Sequence, residues 1–271
     1  MTVISQTHVR SGDAEIYVET RGSGPDVLLL CGLGDTVEVW SAQSEPLSDR
    51  YRVSVIDNRG VGRTRAPVES ITVPNLAADA AAVIEALGLD TPHVMGFSGG
   101  GMIAQELAIT RPELVRSLVL NGTFAEMDEL AHRKLEAWLH LAATSETPVA
   151  WMRHFLSAIY SRAAHADGRA DAWAAELLAF EPAMSDEAFV ATVEAFRRHS
   201  TADRLHRISA PALVVVGEED INASPSYSRD IAAAIPDAEL VVLPDQGHQP
   251  FQEIPEEFNA LVTGFWERVT A

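Results

Sequence analysis

The chain has 271 residues, of which 47% are hydrophobic and 22% are charged, so it is long and apolar enough to bury a large core. Its 39 acidic and 20 basic residues give a net charge of −19, which argues against binding to nucleic acid or to anionic lipid. The one cysteine, Cys31, rules out an intrachain disulfide. Without a basic and apolar leader or a membrane-length apolar stretch, the expected location is the cytoplasm, away from the membrane.

The first half of the chain predicts a β-hairpin followed by alternating strands and helices. Residues 8–10 and 14–19 flank a Ser-Gly-Asp turn and form the hairpin. The continuous apolar run at 27–31 predicts a strand buried on both faces, as in a parallel sheet. The alternation continues through a helix at 39–47, a strand at 51–56, a helix at 74–87 that ends at Gly88, a strand at 92–97, a helix at 100–110 and a strand at 114–120.

Between residues 123 and 208 the alternation breaks, and only helical patterns remain. These patterns cover residues 128–144, 148–164, 170–180 and 186–199. Strands at 212–216 and 239–243 and helices at 226–234 and 255–269 then resume the alternation. The prediction is therefore one α/β core, residues 1–122 and 209–271, with a mostly parallel sheet and an inserted helical cap over residues 123–208.

Residues 96–100, Gly-Phe-Ser-Gly-Gly, match the pattern Gly-x-Ser-x-Gly. A predicted strand ends at Phe97 and a predicted helix begins near Gly100, which is the strand–turn–helix setting of a nucleophilic serine. Glycines permit so sharp a turn because larger side chains would clash with the strand and the helix. Ser98 is therefore the candidate nucleophile, and a glycine-rich turn with an incidental serine is the alternative.

A serine nucleophile needs a base, and the base needs an acid that orients it. His248 follows the last predicted strand, and Asp220 follows the strand at 212–216, so both are expected at the carboxyl edge of the sheet. Glu218 and Glu219 adjoin Asp220 and are alternatives to it. Asp245 ranks behind Asp220 because it is only three residues from the histidine.

The oxyanion of such a reaction needs hydrogen-bond donors. The expected donors are the backbone N–H groups of Gly99, directly after the serine, and of Leu33, in the glycine-flanked loop after the first buried strand. Cys31 begins that loop and is interpreted as a small buried hydrophobe, since no adjacent basic residue would activate its thiol.

Aromatic residues of the insertion predict an apolar pocket above the catalytic edge. The predicted lining is Trp138, Trp151, Met152, Phe155 and Trp173, with packing among the cap helices as the alternative for each. One cation of the insertion could bind a substrate carboxylate, although most are interpreted as solvated: Arg133, Lys134, Arg153, Arg162, Arg169, Arg197 and Arg198.

Two further features receive structural interpretations. Arg59 is interpreted as bracing its loop rather than contacting substrate. The histidines of the insertion lack the spacing of metal ligands. We therefore expect neither a metal nor a cofactor.

Five short motifs together resemble the α/β-hydrolase superfamily across nearly the whole chain: residues 32–34 (GLG), 57–62 (DNRGVG), 96–100 (GFSGG), 217–220 (GEED) and 247–248 (GH). The insertion falls where that family carries its cap. Residues 32–63 look most like the 3-oxoadipate enol-lactonases and the non-haem haloperoxidase-like esterases. The resemblance implies that Ser98 is the nucleophile, Asp220 the acid and His248 the base. It also implies that Leu33 and Gly99 donate to the oxyanion.

The predicted function is cofactor-free hydrolysis of a carboxylic ester or lactone of a small apolar substrate through an acyl-enzyme. The same triad used for perhydrolysis, C–C bond hydrolysis or a biosynthetic cyclase or lyase step is one alternative, and a ligand-binding module on a hydrolase scaffold is another. The expected partner is a small molecule, and homo-oligomerisation stays open.

Overall fold

The computed structural model describes residues 4–146, 154–179 and 184–270. Its eight-stranded sheet confirms the predicted α/β class. The two strands of the N-terminal hairpin are antiparallel to each other, the second of them is also antiparallel to its next neighbour, and all other neighbouring pairs are parallel. The strands are β1 Ser5–Ser11, β2 Ala14–Arg21, β3 Asp26–Leu30, β4 Arg52–Ile56, β5 His93–Phe97, β6 Ser117–Asn121, β7 Ala212–Gly217 and β8 Glu239–Leu243. They lie in the order β1-β2-β4-β3-β5-β6-β7-β8.

Helices cover both faces of the sheet and fill the insertion. In the described residues they are α1 Ser41–Leu47, α2 Val73–Leu87, α3 Gly99–Thr110, α4 Glu129–Thr144, α5 Arg162–Ala166, α6 Arg169–Ala179, α7 Asp186–Arg198, α8 Pro225–Ala234, α9 Pro250–Glu253 and α10 Pro255–Thr270. As predicted, α2 ends at Gly88, which adopts the left-handed conformation. None of the helices in the described ranges combines the length and apolar character needed to cross a bilayer.

The central strands are apolar throughout because both of their faces are buried. In β3, Leu28 and Leu30 pack into one core with α2 and α3, whereas Val27 and Leu29 pack into a second core with α1 and α10. Successive side chains of a strand point to opposite faces, so an uninterrupted apolar run fills two cores at once. This placement makes the sheet the rigid layer from which the loops project.

The strand order creates a crevice between the carboxyl ends of β3 and β5. The chain leaves β3 towards β4 on one side, and it leaves β5 towards β6 on the other. Loops that diverge in this way leave open space at the sheet edge, where ligands of open α/β sheets bind. The loops after β7 and β8 end at the same edge, so the crevice is the expected place for a functional site.

Residues 123–208, called the insertion from here on, connect β6 to β7. One helix prediction there is wrong in its described part, since the chain turns at 157–161 instead of continuing from 154 to 164 as a helix. The Ser157 hydroxyl donates to the carbonyl of His154 and closes this turn, and Ser161 begins α5 by accepting the N–H of Ala164. Residues 147–153 lie outside the described residues.

The predicted strand at 114–120 begins later than expected, at Ser117. The reason is local, because Pro112–Leu114 form a short 3₁₀ turn that follows the end of α3. Proline removes a backbone donor and fixes its own φ angle, both of which suit a turn better than a central strand.

Gly96 marks a close approach between β5 and α3, since a Cβ atom there would overlap the carbonyl oxygen of Gly100. We expect Gly96→Ala to lower the free energy of unfolding by about 1–3 kcal/mol, because backbone atoms must shift to relieve the overlap. Gly264→Ala in α10 is the matched control. Its Cβ would meet only the tip of Arg268 at 3.9 Å, and alanine's helix propensity should add up to about 1 kcal/mol. Denaturant unfolding measures both variants, and an unchanged midpoint in Gly96→Ala would refute the steric argument.

Candidate active site

Ser98 occupies the turn between β5 and α3 with an unfavourable backbone conformation. Its φ of 52° and ψ of −118° cost on the order of 1–3 kcal/mol for a residue other than glycine, so the conformation persists only because the surroundings impose it. The Ser98 N–H donates to the carbonyl of Asn121 at 2.9 Å. Its own carbonyl accepts the hydroxyl of Thr123 at 2.6 Å and the N–H of Gly101 at 3.0 Å. These bonds hold the serine at the carboxyl edge of the sheet.

Asp220 and His248 come together in a buried hydrogen bond. The Nδ1 atom of His248 donates to Oδ2 of Asp220 at 2.7 Å, and the two side chains are 1% and 0% exposed. The second carboxylate oxygen, Oδ1, accepts the backbone N–H groups of Asn222 at 2.9 Å and Ala223 at 2.8 Å. The carboxylate is thus held from both sides, and it directs the proton of the neutral imidazole to Nδ1.

The other acids considered from the sequence lie elsewhere. Glu219 accepts the backbone N–H of Arg162 at 2.8 Å and its guanidinium at 2.7 Å. Glu218 and Asp245 are exposed to solvent. The carboxylate in contact with His248 is therefore that of Asp220.

Asn222 occupies the other nitrogen of the imidazole. Its Nδ2 atom lies 3.0 Å from Nε2 of His248, and an amide nitrogen can only donate. In the described parts of the chain no hydrogen bond joins the hydroxyl of Ser98 to His248. Sequence analysis missed Asn222, although its position two residues after Asp220 was a signal that could have pointed to it.

A single cavity nevertheless brings Ser98 and His248 together with Leu33 and Gly99, the two predicted oxyanion residues. Gly99 begins α3, and the first N–H groups of a helix have no acceptor within that helix. The remaining lining comes largely from the insertion and is mostly apolar: Asp35, Phe97, Phe124, Met127, Ala131, Leu135, Trp138, Phe155, Ile159, Val193, Phe196, Asn222 and Gln249.

The predicted pocket residues are divided between two adjoining cavities. Trp138 and Phe155 line the Ser98 cavity and contact each other edge to face, with ring centroids 5.0 Å apart. Trp173 instead lines the second cavity and packs on Tyr160 at 4.6 Å. The two cavities share several lining residues, so they adjoin. Trp151, Met152 and Arg153 lie outside the described residues.

Asp35 is a second side chain that sequence analysis missed. It lines both cavities from the loop after β3, where it follows Gly34 closely behind Leu33. Burial raises the pKa of the Asp35 carboxyl to about 7, against the opposing influence of His248 and of the N–H of Gly32. The cavity therefore contains a carboxyl group that changes charge near neutral pH.

Arg59 braces its loop, which confirms the structural interpretation. Its guanidinium donates to both oxygens of Asp79 at 2.6 and 2.9 Å, and to Asp13 and Ser70 at 2.6 and 2.7 Å. A further bond reaches the carbonyl of Ser11 at 3.2 Å. These partners use the guanidinium fully, and Arg59 lines neither cavity.

The insertion is bonded to the loop that carries His248. The backbone N–H of His248 donates to the carbonyl of Ile159 at 2.6 Å. Glu253 adds a second connection, since it accepts the N–H of Gly247 at 2.9 Å as well as the N–H and hydroxyl of Ser161. The position of the imidazole thus depends on residues 159–161 as well as on β8.

The described cations that sequence analysis singled out in the insertion have partners of their own and do not line the Ser98 cavity. The pairs are Arg133 with Glu129, Lys134 with the carbonyl of Ile221, Arg162 with Glu219, Arg169 with Asp167, and Arg197 and Arg198 with Glu194. Within the described ranges, no three histidine, cysteine, aspartate or glutamate side chains form a group that could hold a metal ion.

Comparison with known proteins agrees with this architecture. The sequence profile of the family described as alpha/beta hydrolase fold matches residues 25–253. The chain is similar to the candidate carbamate hydrolase RutD of Azorhizobium caulinodans, with 30% identity over 95% of this chain and 97% of that protein. It is also similar to the pimeloyl-[acyl-carrier protein] methyl ester esterase of Nitrosospira multiformis, with 28% identity over 94% and 99%.

Among solved structures, the chain resembles the candidate non-heme bromoperoxidase BpoC of Mycobacterium tuberculosis H37Rv. The TM-score is 0.85 and the identity is 30%, and the match covers 94% of this chain and 97% of that one. Similarity of sequence and of fold thus extends over the α/β core and the insertion alike. With the profile matching most of its length, the chain belongs to the alpha/beta hydrolase family.

Proposed function

We propose that the protein is a cofactor-free serine hydrolase that cleaves a carboxylic ester or lactone of a small, uncharged, apolar substrate. One observation carries this proposal: His248, whose Nδ1 is bonded to the buried carboxylate of Asp220, lines the same cavity as the strained Ser98. An oriented base that lines the same cavity as a serine hydroxyl can serve acyl transfer once the two groups come into hydrogen-bond contact.

In the proposed reaction, the substrate carbonyl lies between the hydroxyl of Ser98 and the N–H groups of Leu33 and Gly99. His248 takes the serine proton as the oxygen attacks carbon, and the two N–H groups stabilise the oxyanion, each by about 3–4 kcal/mol. The imidazolium, stabilised by Asp220, then protonates the leaving alcohol. Water repeats these steps on the acyl-enzyme and restores the serine.

The insertion is proposed to act as the cap over this site. Phe124, Met127, Leu135 and Phe196 supply apolar walls of the Ser98 cavity, and all four are buried. Such walls exclude water and favour an apolar acyl or alcohol group. The names of the relatives agree with carbonyl chemistry, because a carbamate and a methyl ester both present a carbonyl carbon bonded to a heteroatom.

The charges of the cavity favour substrates without a carboxylate. No lysine or arginine appears among the described residues that line it, whereas Asp35 does. A substrate of the 3-oxoadipate type would place its carboxylate in an apolar cavity with an acid and no described cation. We therefore propose that the substrate is an ester or lactone without a charged group.

Replacement of the nucleophile tests the reaction. Ser98→Ala should lower kcat for ester or lactone hydrolysis at least about 10⁴-fold, because no alkoxide can form. It should also abolish the acyl-enzyme, which intact-protein mass spectrometry detects in the wild type after rapid quenching of the true substrate. Ser228→Ala, which removes a buried hydroxyl without a hydrogen-bond partner among the described residues, should keep full activity. Undiminished turnover by Ser98→Ala would reject the mechanism, and turnover without an acyl-enzyme would favour the cyclase or lyase alternative.

The charge of Asp35 predicts a pH-dependent substrate preference. With a pKa of about 7, this carboxyl is neutral at pH 6 and anionic at pH 8. The ratio of kcat/KM for a dicarboxylic acid monoester to that for a neutral ester of equal length should therefore fall over this range. In Asp35→Asn the ratio should stay constant and exceed the wild-type value about tenfold at pH 8, because the repulsion is lost.

Glu176→Gln is the control for this experiment, since Glu176 lines only the adjoining cavity. It should reproduce the wild-type fall in the ratio. The same pH trend in Asp35→Asn as in the wild type would show that Asp35 does not discriminate between the two esters.

A further inference from the structure

Asn222 contacts both members of the Asp220–His248 pair. Its backbone N–H donates to Oδ1 of Asp220 at 2.9 Å, and its side-chain Nδ2 lies 3.0 Å from Nε2 of His248. The residue is 9% exposed and lines the cavity that contains Ser98. It therefore stands where the proposed acid, base and nucleophile meet, yet the hydrolytic steps described above assign it no part.

The direction of the side-chain contact follows from the chemistry of the two groups. An amide nitrogen donates and cannot accept, so Nε2 of His248 must be the acceptor. The ring proton then lies on Nδ1, towards Asp220, which is the tautomer that a general base needs. The lone pair that should receive the Ser98 proton is, however, already engaged by Asn222.

We propose that Asn222 is a displaceable hydrogen-bond donor to the base: its amide occupies Nε2 of His248 in the empty cavity and yields that atom to the hydroxyl of Ser98 when substrate binds. The inference rests on the proposed function, because it requires Ser98 and His248 to act together. Asn222 is a positioning residue in this account. It acts through the imidazole of His248, because its amide and the hydroxyl of Ser98 compete for the same atom, Nε2.

The same contact is open only to a neutral imidazole. Donation from the amide stabilises the neutral imidazole, since an imidazolium has no lone pair left to accept it. Before His248 can take the serine proton, the amide must turn or move away from Nε2.

The variants that test this proposal change only residue 222, so the other titratable groups around His248 are the same in all of them. They are Asp220 at Nδ1, Asp35 on the cavity wall, Glu253 on the N–H of Gly247, and Tyr160, whose hydroxyl donates to Gln249. A difference in the titration of the base between variants therefore reports on position 222.

The experiment measures the rate at which a fluorophosphonate labels Ser98 in the substrate-free enzyme between pH 5 and pH 10, with intact-protein mass spectrometry as the readout. Asn222→Leu has similar size and no hydrogen-bonding group, whereas Asn222→Asp accepts but cannot donate. Both variants keep the backbone N–H that holds Asp220. The comparison therefore isolates the side-chain amide.

In Asn222→Leu the plateau rate at high pH should rise about two- to tenfold, because a typical hydrogen bond no longer competes with the serine. The midpoint of the pH profile should also move upwards, by up to about one pH unit. Asn222→Asp should move the midpoint further, since its carboxylate stabilises the imidazolium. Should Asn222→Leu fail to fold, Asn222→Ala removes the same donor, and the same rise is expected.

A plateau rate at or below the wild-type value with an unchanged midpoint would overturn the inference, because that is the result of a merely structural role. Labelling of Ser98 in the wild type would then still support the proposed function. If the wild type does not label at Ser98 at all, the proposed function fails and this inference fails with it.

Discussion

The hydrogen bond between His248 and Asp220 joins the loops that leave two neighbouring parallel strands, β8 and β7. A buried carboxylate is costly unless donors surround it, and Asp220 has three: the imidazole and two backbone N–H groups of its own loop. A slip in the pairing of β7 and β8 would separate the imidazole from the carboxylate and leave a buried charge unpaired. The register of these two strands is therefore a requirement of the site as well as of the core.

Ser98 differs from Asp220 in that its backbone, rather than its side chain, is in an unfavourable state, and contacts with other residues must hold it there. The restraint comes from β6, whose last residue, Asn121, accepts the serine N–H, and from Thr123, whose hydroxyl binds the serine carbonyl. The strain is thus balanced by contacts with the adjacent strand and the loop that follows it. Side chains distant in the chain converge because four strand ends share one edge of a single sheet.

Much of this arrangement could be predicted because it depends on short sequence patterns. Apolar runs marked the buried strands, and the glycines around Ser98 marked a turn too sharp for larger residues. Helical periodicity failed at residues 157–161, where the chain turns because of tertiary contacts such as the bond between Ile159 and His248. Periodicity reports which face of a segment is apolar, and it contains no information on where a neighbouring loop will dock.

The lining of the cavity was harder to predict, for the same physical reason. Trp138 and Phe155 line the Ser98 cavity whereas Trp173 does not, and composition cannot distinguish the three. Asp35 and Asn222 are ordinary loop residues in sequence, and only their neighbours in space give them significance. Asp35 feels the charge of His248 and Asn222 contacts its imidazole, although the two residues lie in loops that follow different strands, β3 and β7.

Residues 159–161 are connected to the His248 loop directly through Ile159 and indirectly through the bonds of Ser161 and Gly247 to Glu253, which has a consequence for how related proteins diverge. Because a backbone carbonyl of the insertion holds the N–H of His248, the segment that shapes the pocket also sets the height of the imidazole above the sheet. A segment grafted from a relative would bring its own acceptor and shift the base. Under the proposed mechanism, selectivity and turnover are therefore coupled through main-chain geometry, and we expect recombination of this region between homologues to change both traits together.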